Sequence, residues 1–401
     1  MSFFLEVFQS AFSPMVLFYM IAGVAAGICI GALPGLTATM GVALLLPLTF
    51  GMDATAGILM LLGIYVGAIY GGSISAILLH TPGTPASAAT AIDGYQFSKR
   101  GEAGRALGIA TLSSYVGGVV SVLCLWLISP QLAKLALKFS SAEFFLLAVF
   151  GLCIIANISG ENMAKGLICG FLGILTAIDS VTSYIRFTDN ANLLSGIQYI
   201  PVMIGLFAMS QAFETIEDIY STDEIDASVT RLLPTKEDVK TILRVAPVTG
   251  LIGTMIGSFV GYNTARGMSK HPEQFGKGSP EAVAASEGGN NGVTGGAMIP
   301  MLTLGVPGDA VAAIMIGALT IQGLTPGPML FKTNKVLVYT IFLGMFVANT
   351  IMVLLGFSCI RLFTKVLSVP KTILTPVIFI LCVVGSYAMR SNFYDVGTML
   401  I

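Results

Sequence analysis

The sequence predicts an all-α polytopic membrane protein made of two internally repeated halves, with re-entrant hairpins or broken helices in each. Of its 401 residues, 55% are hydrophobic and only 10% are charged, and the mean hydropathy is +0.87. Soluble domains carry roughly 25% charged residues. The 46 glycines and 17 prolines are spread through the apolar stretches, where small residues let membrane helices approach closely. This composition argues against a soluble helical core.

Charge and the rarer residue types argue against several functions. A net charge of −1 offers no basic surface for nucleic acid. The six cysteines lie in apolar stretches without CxxC spacing, and His80 and His271 are the two histidines of the chain. That leaves little material for a zinc site or for histidine-based catalysis. We therefore expect a protein that is not an enzyme, has no cofactor and no bound metal cluster, and has no nucleic-acid partner.

The first predicted span covers residues 15–32, which is long enough to cross a bilayer of about 30 Å at about 20 residues per helix. Gly23, Gly27 and Gly31 recur at every fourth position within it. That spacing places the three glycines on one face of the helix. The face is predicted to be a groove against which another helix packs tightly.

Two breaks interrupt the apolar sequence that follows. Leu33, Pro34 and Gly35 end the first span, and residues 37–50 are too short to cross a membrane, which is typical of the second arm of a re-entrant hairpin. The span 54–79 ends at the segment 81–85, TPGTP, whose prolines and glycine stop a helix and permit a sharp turn. Non-helical backbone at membrane depth persists only where protein covers it or a wet cavity adjoins it. This turn is therefore predicted to line a binding site.

The remaining pattern gives the division of the chain. Further spans are predicted at 106–128, 143–158, 163–178 and 196–212, which completes a first repeat over 1–213. Residues 214–244 contain eight acidic and four basic residues and are predicted to form a charged connector. Thr235 and Asp238 have the spacing of a capping box, which predicts a helix start there. The second repeat then covers 245–401.

An internal duplication is indicated by landmarks that recur at nearly one displacement along the chain. A second interrupted segment, GVPGD at 305–309, answers the first, and such paired interruptions in two halves indicate the binding site of a transporter. We expect an inverted repeat whose second copy is C-terminally shortened, because a full copy of the first repeat would extend past Ile401. The recurring landmarks are the triplet Gly23, Gly27 and Gly31 with Gly253, Gly257 and Gly261, the pair Ile92 and Gly94 with Ile321 and Gly323, and the pair Leu152 and Cys153 with Leu381 and Cys382.

Polar residues near the two interruptions are the candidate ligands. Hydroxyls, amides and freed backbone N–H groups at half-helix ends can hold a carboxylate, and freed carbonyls with an Asp can hold Na⁺. Gly83 and Gly308 are expected to need a positive φ, which a β-branched residue resists. The candidates are Ser73, Thr81, Pro82, Gly83, Thr84, Asn290, Asn291, Pro307 and Gly308 for the substrate, and Asp309 for the ion.

Each candidate also has a purely structural interpretation. Ser and Thr in membrane helices often bond only to the carbonyl of the preceding turn. His80 fits a hydrogen-bonded packing residue better than a proton relay. Asp93, Glu281 and Glu287 flank the motifs and are interpreted either as functional ionisable groups or as markers of where segments leave the bilayer.

Four strings carry a family resemblance: GALPGLTATMGVALLLPLTFGMD at 31–53, the stretch 70–95, GKGSPEAVAASEGGNNGVTGGAMIPMLTLGVPGDAVAA at 276–313, and GLTPGPMLF at 323–331. With these motifs the chain resembles the large membrane subunit, TctA, of the tripartite tricarboxylate transporters of bacteria. The resemblance covers nearly the whole chain. At the matching positions it implies functional turns at Leu33-Pro34-Gly35, Thr81-Pro82-Gly83 and Val306-Pro307-Gly308, with Asn290 and Asn291 before the last. Pro34 and Gly35 are therefore also candidate substrate ligands.

The same resemblance implies a function. It points to a multi-pass protein of the bacterial inner membrane that takes up di- or tricarboxylates by alternating access, coupled to Na⁺ or H⁺. A periplasmic solute-binding protein and a small membrane subunit would be its partners, and the two turns would meet near the midplane. Two departures stand out: residues 258–262, SFVGY, replace a Pro-Gly turn that the family usually has after Gly257, and family members generally continue past Ile401.

Three other functions remain open from the sequence. A carboxylate/sodium symporter that works without a binding protein would have the same composition and breaks. An ion channel would show repeated charged rings or carbonyl filters about an axis, whereas this chain has two unlike turns. A membrane-embedded enzyme would need a nucleophile with a base, or a metal cluster, at membrane depth.

Overall fold

The computed structural model describes residues 2–33, 35–158, 163–176, 197, 199–217, 233–367, 369, 371–388 and 391–401. The regular elements in these ranges are helical. In chain order they are α1 (Ser2–Ala11), α2 (Pro14–Ala32), α3 (Ala38–Leu45), α4 (Ala54–Leu79), α5 (Ala88–Lys99), α6 (Ala103–Ala136), α7 (Ser141–Ile158), α8 (Met163–Thr176), α9 (Tyr199–Met203), α10 (Ser210–Glu217), α11 (Lys236–Met255), α12 (Ser258–Met268), α13 (Pro280–Leu304), α14 (Ala310–Ile321), α15 (Leu330–Thr333), α16 (Lys335–Val366), α17 (Lys371–Ala388) and α18 (Phe393–Leu400).

Several of these helices are suited to a bilayer. Within the described ranges, four are long and apolar enough to cross it: α2, α4, α6 and residues Lys335–Ile360 of α16. Shorter apolar helices accompany them, and α3 with the 3₁₀ turn Leu46–Thr49 is one. The chain is therefore a multi-pass helical membrane protein. Whether α3 is the second arm of a re-entrant hairpin stays a prediction.

The centre of the fold is α4, whose apolar window is fully buried. It crosses α2 so closely that a Cβ atom added to Gly23, Gly27 or Gly31 would lie 2.1 to 2.3 Å from a backbone oxygen of α4. The facing oxygens belong to Met60, Ile64 and Ala68. The predicted glycine face of the first span is confirmed, because only glycine lets the two backbones come this near.

A second pair of helices, α11 and α13, packs in the same manner. A Cβ atom at Gly253 would lie 2.2 Å from the Gly289 oxygen, and one at Gly296 would lie 2.1 Å from the Thr254 oxygen. Gly257 and Gly261 are outside this contact, since Gly257 caps α12 and Gly261 lies within α12. The triplet that the sequence suggested at 253–261 is thus not a single helical face.

The start of α11 follows the predicted capping box. Thr235 Oγ1 accepts a hydrogen bond from the Asp238 N–H at 3.2 Å, and the Asp238 carboxylate accepts one from the Thr235 N–H at 2.9 Å. Arg105 of α6 also donates two hydrogen bonds to the Asp238 carboxylate, with N–O distances of 2.8 and 2.9 Å. The end of the proposed connector is therefore tied to the first half. Residues 218–232 of that connector and the polar stretch 179–195 lie outside the described residues.

Candidate functional site

The first break folds back on the helices that precede it. Helix α4 ends at His80, whose φ of 58° is left-handed, and the His80 ring stacks on Tyr95 with centroids 4.7 Å apart. The Gly83 N–H donates to the Gly72 oxygen at 3.2 Å. A Cβ atom on Gly83 would lie 2.1 Å from the Gly31 oxygen. This turn is therefore wedged between α2 and α4.

The role of Gly83 differs from the one that the sequence suggested. Gly83 and Gly308 are not among the positive-φ residues of the described chain. The expectation that these glycines need a left-handed conformation was wrong. Both are required for close approach instead, because a Cβ on Gly308 would lie 2.6 Å from Ala297 Cα.

The hydroxyls of the first break have local partners. Thr84 Oγ1 accepts from the Ser87 N–H at 3.3 Å while Ser87 Oγ accepts from the Thr84 N–H at 3.2 Å, which begins the short 3₁₀ helix Pro85–Ser87. Thr81 Oγ1 donates to the Leu79 oxygen at 3.3 Å. Pro82 is exposed at the tip of the turn, and Thr84 is buried. These contacts shape the turn, and the predicted substrate role of its residues stays a prediction.

The second break has the same construction. Helix α13 ends at Gly305 with a left-handed φ of 71°, and Pro307 and Gly308 are exposed. Asp309 caps α14 by accepting from the Ala312 N–H at 2.7 Å. Its other carboxylate oxygen accepts a hydrogen bond from the Tyr65 hydroxyl of α4 at 2.5 Å.

A cavity of about 500 Å³ adjoins the second break, within the size range of small-molecule sites. Gly257, with a φ of +116°, separates α11 from α12 beside it. The second half therefore has a chain break here although the Pro-Gly turn of the family is missing. The cavity wall combines small residues, among them Gly253, Gly257, Gly296, Ala297 and Gly308, with large apolar side chains such as Leu251, Met255 and Ile299.

A buried polar cluster surrounds Glu287 and includes Ser73, the residue after Gly72, whose oxygen accepts the Gly83 N–H of the first break. Glu287 of α13 is 0% exposed. Its carboxylate accepts hydrogen bonds from Ser73 of α4 at 2.6 Å, from Ser114 of α6 at 2.8 Å and from Thr90 of α5. Asn290 donates to Ser73 Oγ at 3.2 Å and to the Ile69 oxygen at 3.3 Å. Four helices thus converge on one acidic side chain.

The Glu287 carboxylate is fully enclosed between α13 and the helices of the first half. Its interpretation as a marker of the bilayer boundary stays a prediction. Residues 276–296 have low hydropathy although most of them belong to the buried helix α13. The sequence pattern alone therefore does not distinguish this part of the helix from a loop. One signal was available: Glu287 and Asn290 are three residues apart, which places them on one helix face.

Asp93 and Glu281 differ in their surroundings. Asp93 is 0% exposed and accepts from the Tyr262 hydroxyl at 2.7 Å and from the Gly278 and Ser279 N–H groups at 2.8 and 2.9 Å. Asp93 therefore holds α5 against Tyr262 and the segment before α13, and we call these contacts the Asp93 latch. Glu281 is half-buried, pairs with the exposed Arg244 at 3.1 Å and accepts a hydrogen bond from the Ser269 hydroxyl at 2.6 Å.

The predicted site residues therefore fall into separate groups. Ser73 and Asn290 come together beside Glu287, whereas Asp309 meets Tyr65 and Gly83 contacts the helices of its own half. Asn291 is buried, and neither polar atom of its side chain has a hydrogen-bond partner among the described residues. Gly35 is exposed with a φ of 86°. Pro34 lies outside the described residues, and the meeting of Pro82 with Pro307 stays a prediction.

Comparison with known proteins identifies one family and two related proteins. The model of the "Tripartite tricarboxylate transporter TctA family" matches residues 17–401. An uncharacterized 52.8 kDa protein in the TAR-I ttuC' 3' region of Agrobacterium vitis is 36% identical over 408 residues, which cover 98% of this chain and 81% of that protein. A protein in the TAR-II ttuC' 3' region of the same organism is 36% identical over 149 residues, or 37% of this chain and 62% of that protein.

No solved structure matches the chain. The family model nevertheless spans residues 17–401, which is nearly all of the chain. The chain belongs to the TctA family, the membrane components of tripartite tricarboxylate transporters.

Proposed function

We propose that this protein takes up di- or tricarboxylates across the bacterial inner membrane by cation-coupled alternating access. It would act with a periplasmic solute-binding protein and a small membrane subunit, and Na⁺ or H⁺ would drive the transport. No cofactor and no catalytic step are part of the proposal. The family supports the substrate class and the tripartite assembly.

The observation that carries the proposal is the matched construction of the two breaks. His80 and Gly305 each end a helix in a left-handed conformation. Thr84 and Asp309 each cap the next helix through the N–H three residues on. The displacement from His80 to Gly305 along the chain is the same as that from Thr84 to Asp309. Paired broken helices of this kind form the substrate and ion sites of transporters.

The helix pairs around the breaks repeat at the same displacement. Gly67 and Gly292 are related by it, and a Cβ atom at either would lie 2.4 Å from a backbone oxygen of the partner helix. Those oxygens belong to Val24 and Gly250. The displacement from Val24 to Gly250 along the chain is one residue longer than the displacement from Gly67 to Gly292. These contacts support a register for the proposed repeats, 1–213 and 245–401 joined by 214–244. The sequence landmarks suggested a register that is shifted from it by about one helical turn.

In this mechanism the breaks provide the moving parts and the ligands. A broken helix frees backbone N–H and C=O groups, and the N-terminal ends of half-helices attract an anion. The exposed tips at Pro82 and Pro307 would contact the substrate carboxylates, while the tightly packed α2–α4 and α11–α13 pairs move as rigid bodies. Alternating access then requires one half to rock or slide against the other.

A symporter that works without a binding protein is the second candidate. The enclosed Glu287 carboxylate supports this candidate as well as the first one. An acidic group within the membrane can couple transport to a cation with or without accessory subunits. An ion channel is less well supported, since a closed buried cluster does not form a continuous polar path.

The test is uptake into proteoliposomes that contain the purified protein and its small subunit. A panel of labelled di- and tricarboxylates is offered with and without the solute-binding protein, under a sodium gradient, a proton gradient or neither. The proposal expects accumulation that needs both the binding protein and one of the gradients. Accumulation without the binding protein selects the second candidate, and uptake indifferent to every gradient removes the coupling.

A further inference from the structure

The Glu287 carboxylate is held entirely by oxygen-bearing groups. Three hydroxyls, those of Ser73, Thr90 and Ser114, donate to its two oxygens. Each hydroxyl keeps lone pairs that can face a cation when the hydrogen rotates away. Together with the carboxylate they supply five oxygen atoms from four helices.

This carboxylate has no cationic neighbour among the described residues. The ion pairs found there involve Glu102, Asp238, Glu281 and Glu273, and none reaches Glu287. An ionised group enclosed in protein is strongly unfavourable unless an opposite charge accompanies it. Hydroxyl donors reduce that cost, but they leave the negative charge of the carboxylate in place.

An unpartnered polar atom of Asn290 points independently to a ligand. Asn290 is 0% exposed, and its Oδ1 atom has no hydrogen-bond partner in the described part of the chain, although its Nδ2 donates to Ser73 of the cluster. Asn290 and the Glu287 carboxylate are both hydrogen-bonded to the same Ser73 hydroxyl. A buried amide oxygen without a donor is costly, and it is an oxygen that an alkali cation would coordinate.

We propose that Glu287, Ser73, Thr90, Ser114 and Asn290 form a binding site for a dehydrated sodium ion. The inference rests on the proposed function for its role in coupling, but sodium binding itself is a separate property. One carboxylate with neutral oxygens matches a single positive charge. Calcium sites commonly use several carboxylates in an oxygen shell of six to eight ligands, and the metal-type clusters of three or more His, Cys, Asp or Glu are absent from the described residues.

The position of this site explains how an ion would affect movement. Glu287 and Asn290 come from α13 of the second half, and the three hydroxyls come from α4, α5 and α6 of the first half. A bound ion would therefore stabilise the contact between halves, whereas an unneutralised carboxylate would weaken it. Ser73 and Asn290, predicted as substrate ligands, are assigned to the ion instead.

The experiment measures binding of ²²Na⁺ to the purified full-length protein in detergent, with no carboxylate present. Wild type should bind sodium saturably. Glu287→Gln should abolish this binding, and Thr90→Val and Ser114→Ala should each weaken it about tenfold, or about 1.4 kcal/mol. Asp53→Asn is the matched control, because it removes an exposed carboxylate while Asn still caps α4. It should bind as wild type does.

The outcomes separate this inference from the proposed function. Wild type without saturable sodium binding, or all three cluster variants with unchanged affinity, overturns the site even if proton-driven carboxylate uptake is found. Sodium binding that depends on the cluster supports the site even if no carboxylate is transported. If Glu287→Gln does not elute as a folded species on gel filtration, the two hydroxyl variants decide the matter.

Discussion

The Tyr65 hydroxyl donates a hydrogen bond to the Asp309 carboxylate across 2.5 Å, although 244 residues separate the two in the chain. Tyr65 is fully buried in α4, and Asp309 begins α14 directly after the second break. The central helix of the first half thus holds the turn of the second. The second break is therefore held by α4, the same helix that ends at the first break.

Removing the Tyr65 hydroxyl should loosen the second break without unfolding the protein. Tyr65→Phe keeps the ring and takes one donor from a carboxylate, a bond worth roughly 1.5 to 3 kcal/mol. We expect carboxylate uptake to fall by about tenfold or more. The matched control is Tyr70→Phe, which removes a buried hydroxyl on the same helix that bonds Thr111 instead. Equal loss in both variants, measured as initial rates in proteoliposomes, would contradict a specific role for the Tyr65–Asp309 contact.

The turn glycines should tolerate no side chain at all. Gly83→Ala places a methyl group 2.1 Å from the Gly31 oxygen, and Gly308→Ala places one 2.6 Å from Ala297 Cα. Each variant should lose uptake and unfold at a temperature several degrees below wild type, because backbone cannot yield to the clash. Gly151→Ala is the control, since nothing lies within 4 Å of its added Cβ. A normal unfolding temperature in Gly83→Ala would show that the turn is not wedged between α2 and α4.

The Asp93 latch should control the segment before α13. Asp93→Ala leaves the N–H groups of Gly278 and Ser279 and the Tyr262 hydroxyl without their acceptor, at a cost of roughly 1 to 3 kcal/mol for each buried donor. We expect faster protease cleavage between 269 and 279 and a lower unfolding temperature. Glu237→Ala, which removes an exposed acidic residue outside this segment, should change both much less. Identical cleavage of Asp93→Ala and wild type would contradict the latch.

Acid should weaken the tie between α6 and the start of α11. Burial acts to raise the pKa of Asp238, but hydrogen bonds from Arg105 and Thr235 outweigh it and lower the pKa below its usual value. A carboxyl group whose pKa is lowered by folding stabilises the folded state above its unfolded pKa of about 3.9. That contribution is lost as the pH falls through the lower folded value. The unfolding temperature of Asp238→Asn should therefore lie below that of wild type at pH 7, and the difference should shrink below about pH 4. A difference that is constant from pH 7 to pH 3 would contradict this.

Much of the local structure could be predicted from the sequence because local rules determine it. The breaks at 81–85 and 305–309 follow from proline and glycine chemistry, the face of Gly23, Gly27 and Gly31 follows from helical spacing, and Thr235 with Asp238 follows from the geometry of helix capping. In each case the deciding residues lie within one or two helical turns of each other.

The site itself depends on contacts that no local pattern encodes. Glu287 meets Ser73 and Ser114 from positions 214 and 173 residues away, so its role emerges only once α13 is packed against α4 and α6. The register that we propose for the repeat differs from the one that the sequence landmarks suggest. In glycine-rich apolar sequence a shift of about one helical turn leaves the pattern almost unchanged, and backbone contacts such as Gly292 against Gly250 support the proposed alignment.

The most direct test of cation-coupled transport is carboxylate uptake in proteoliposomes with the binding protein present and the sodium gradient set in either direction. An inward gradient should drive accumulation above the external concentration, and an outward gradient should abolish it in wild type and Asp53→Asn. Glu287→Gln should show no accumulation under either gradient. Accumulation that is the same for both directions of the sodium gradient, and unchanged in Glu287→Gln, would contradict sodium coupling through this carboxylate.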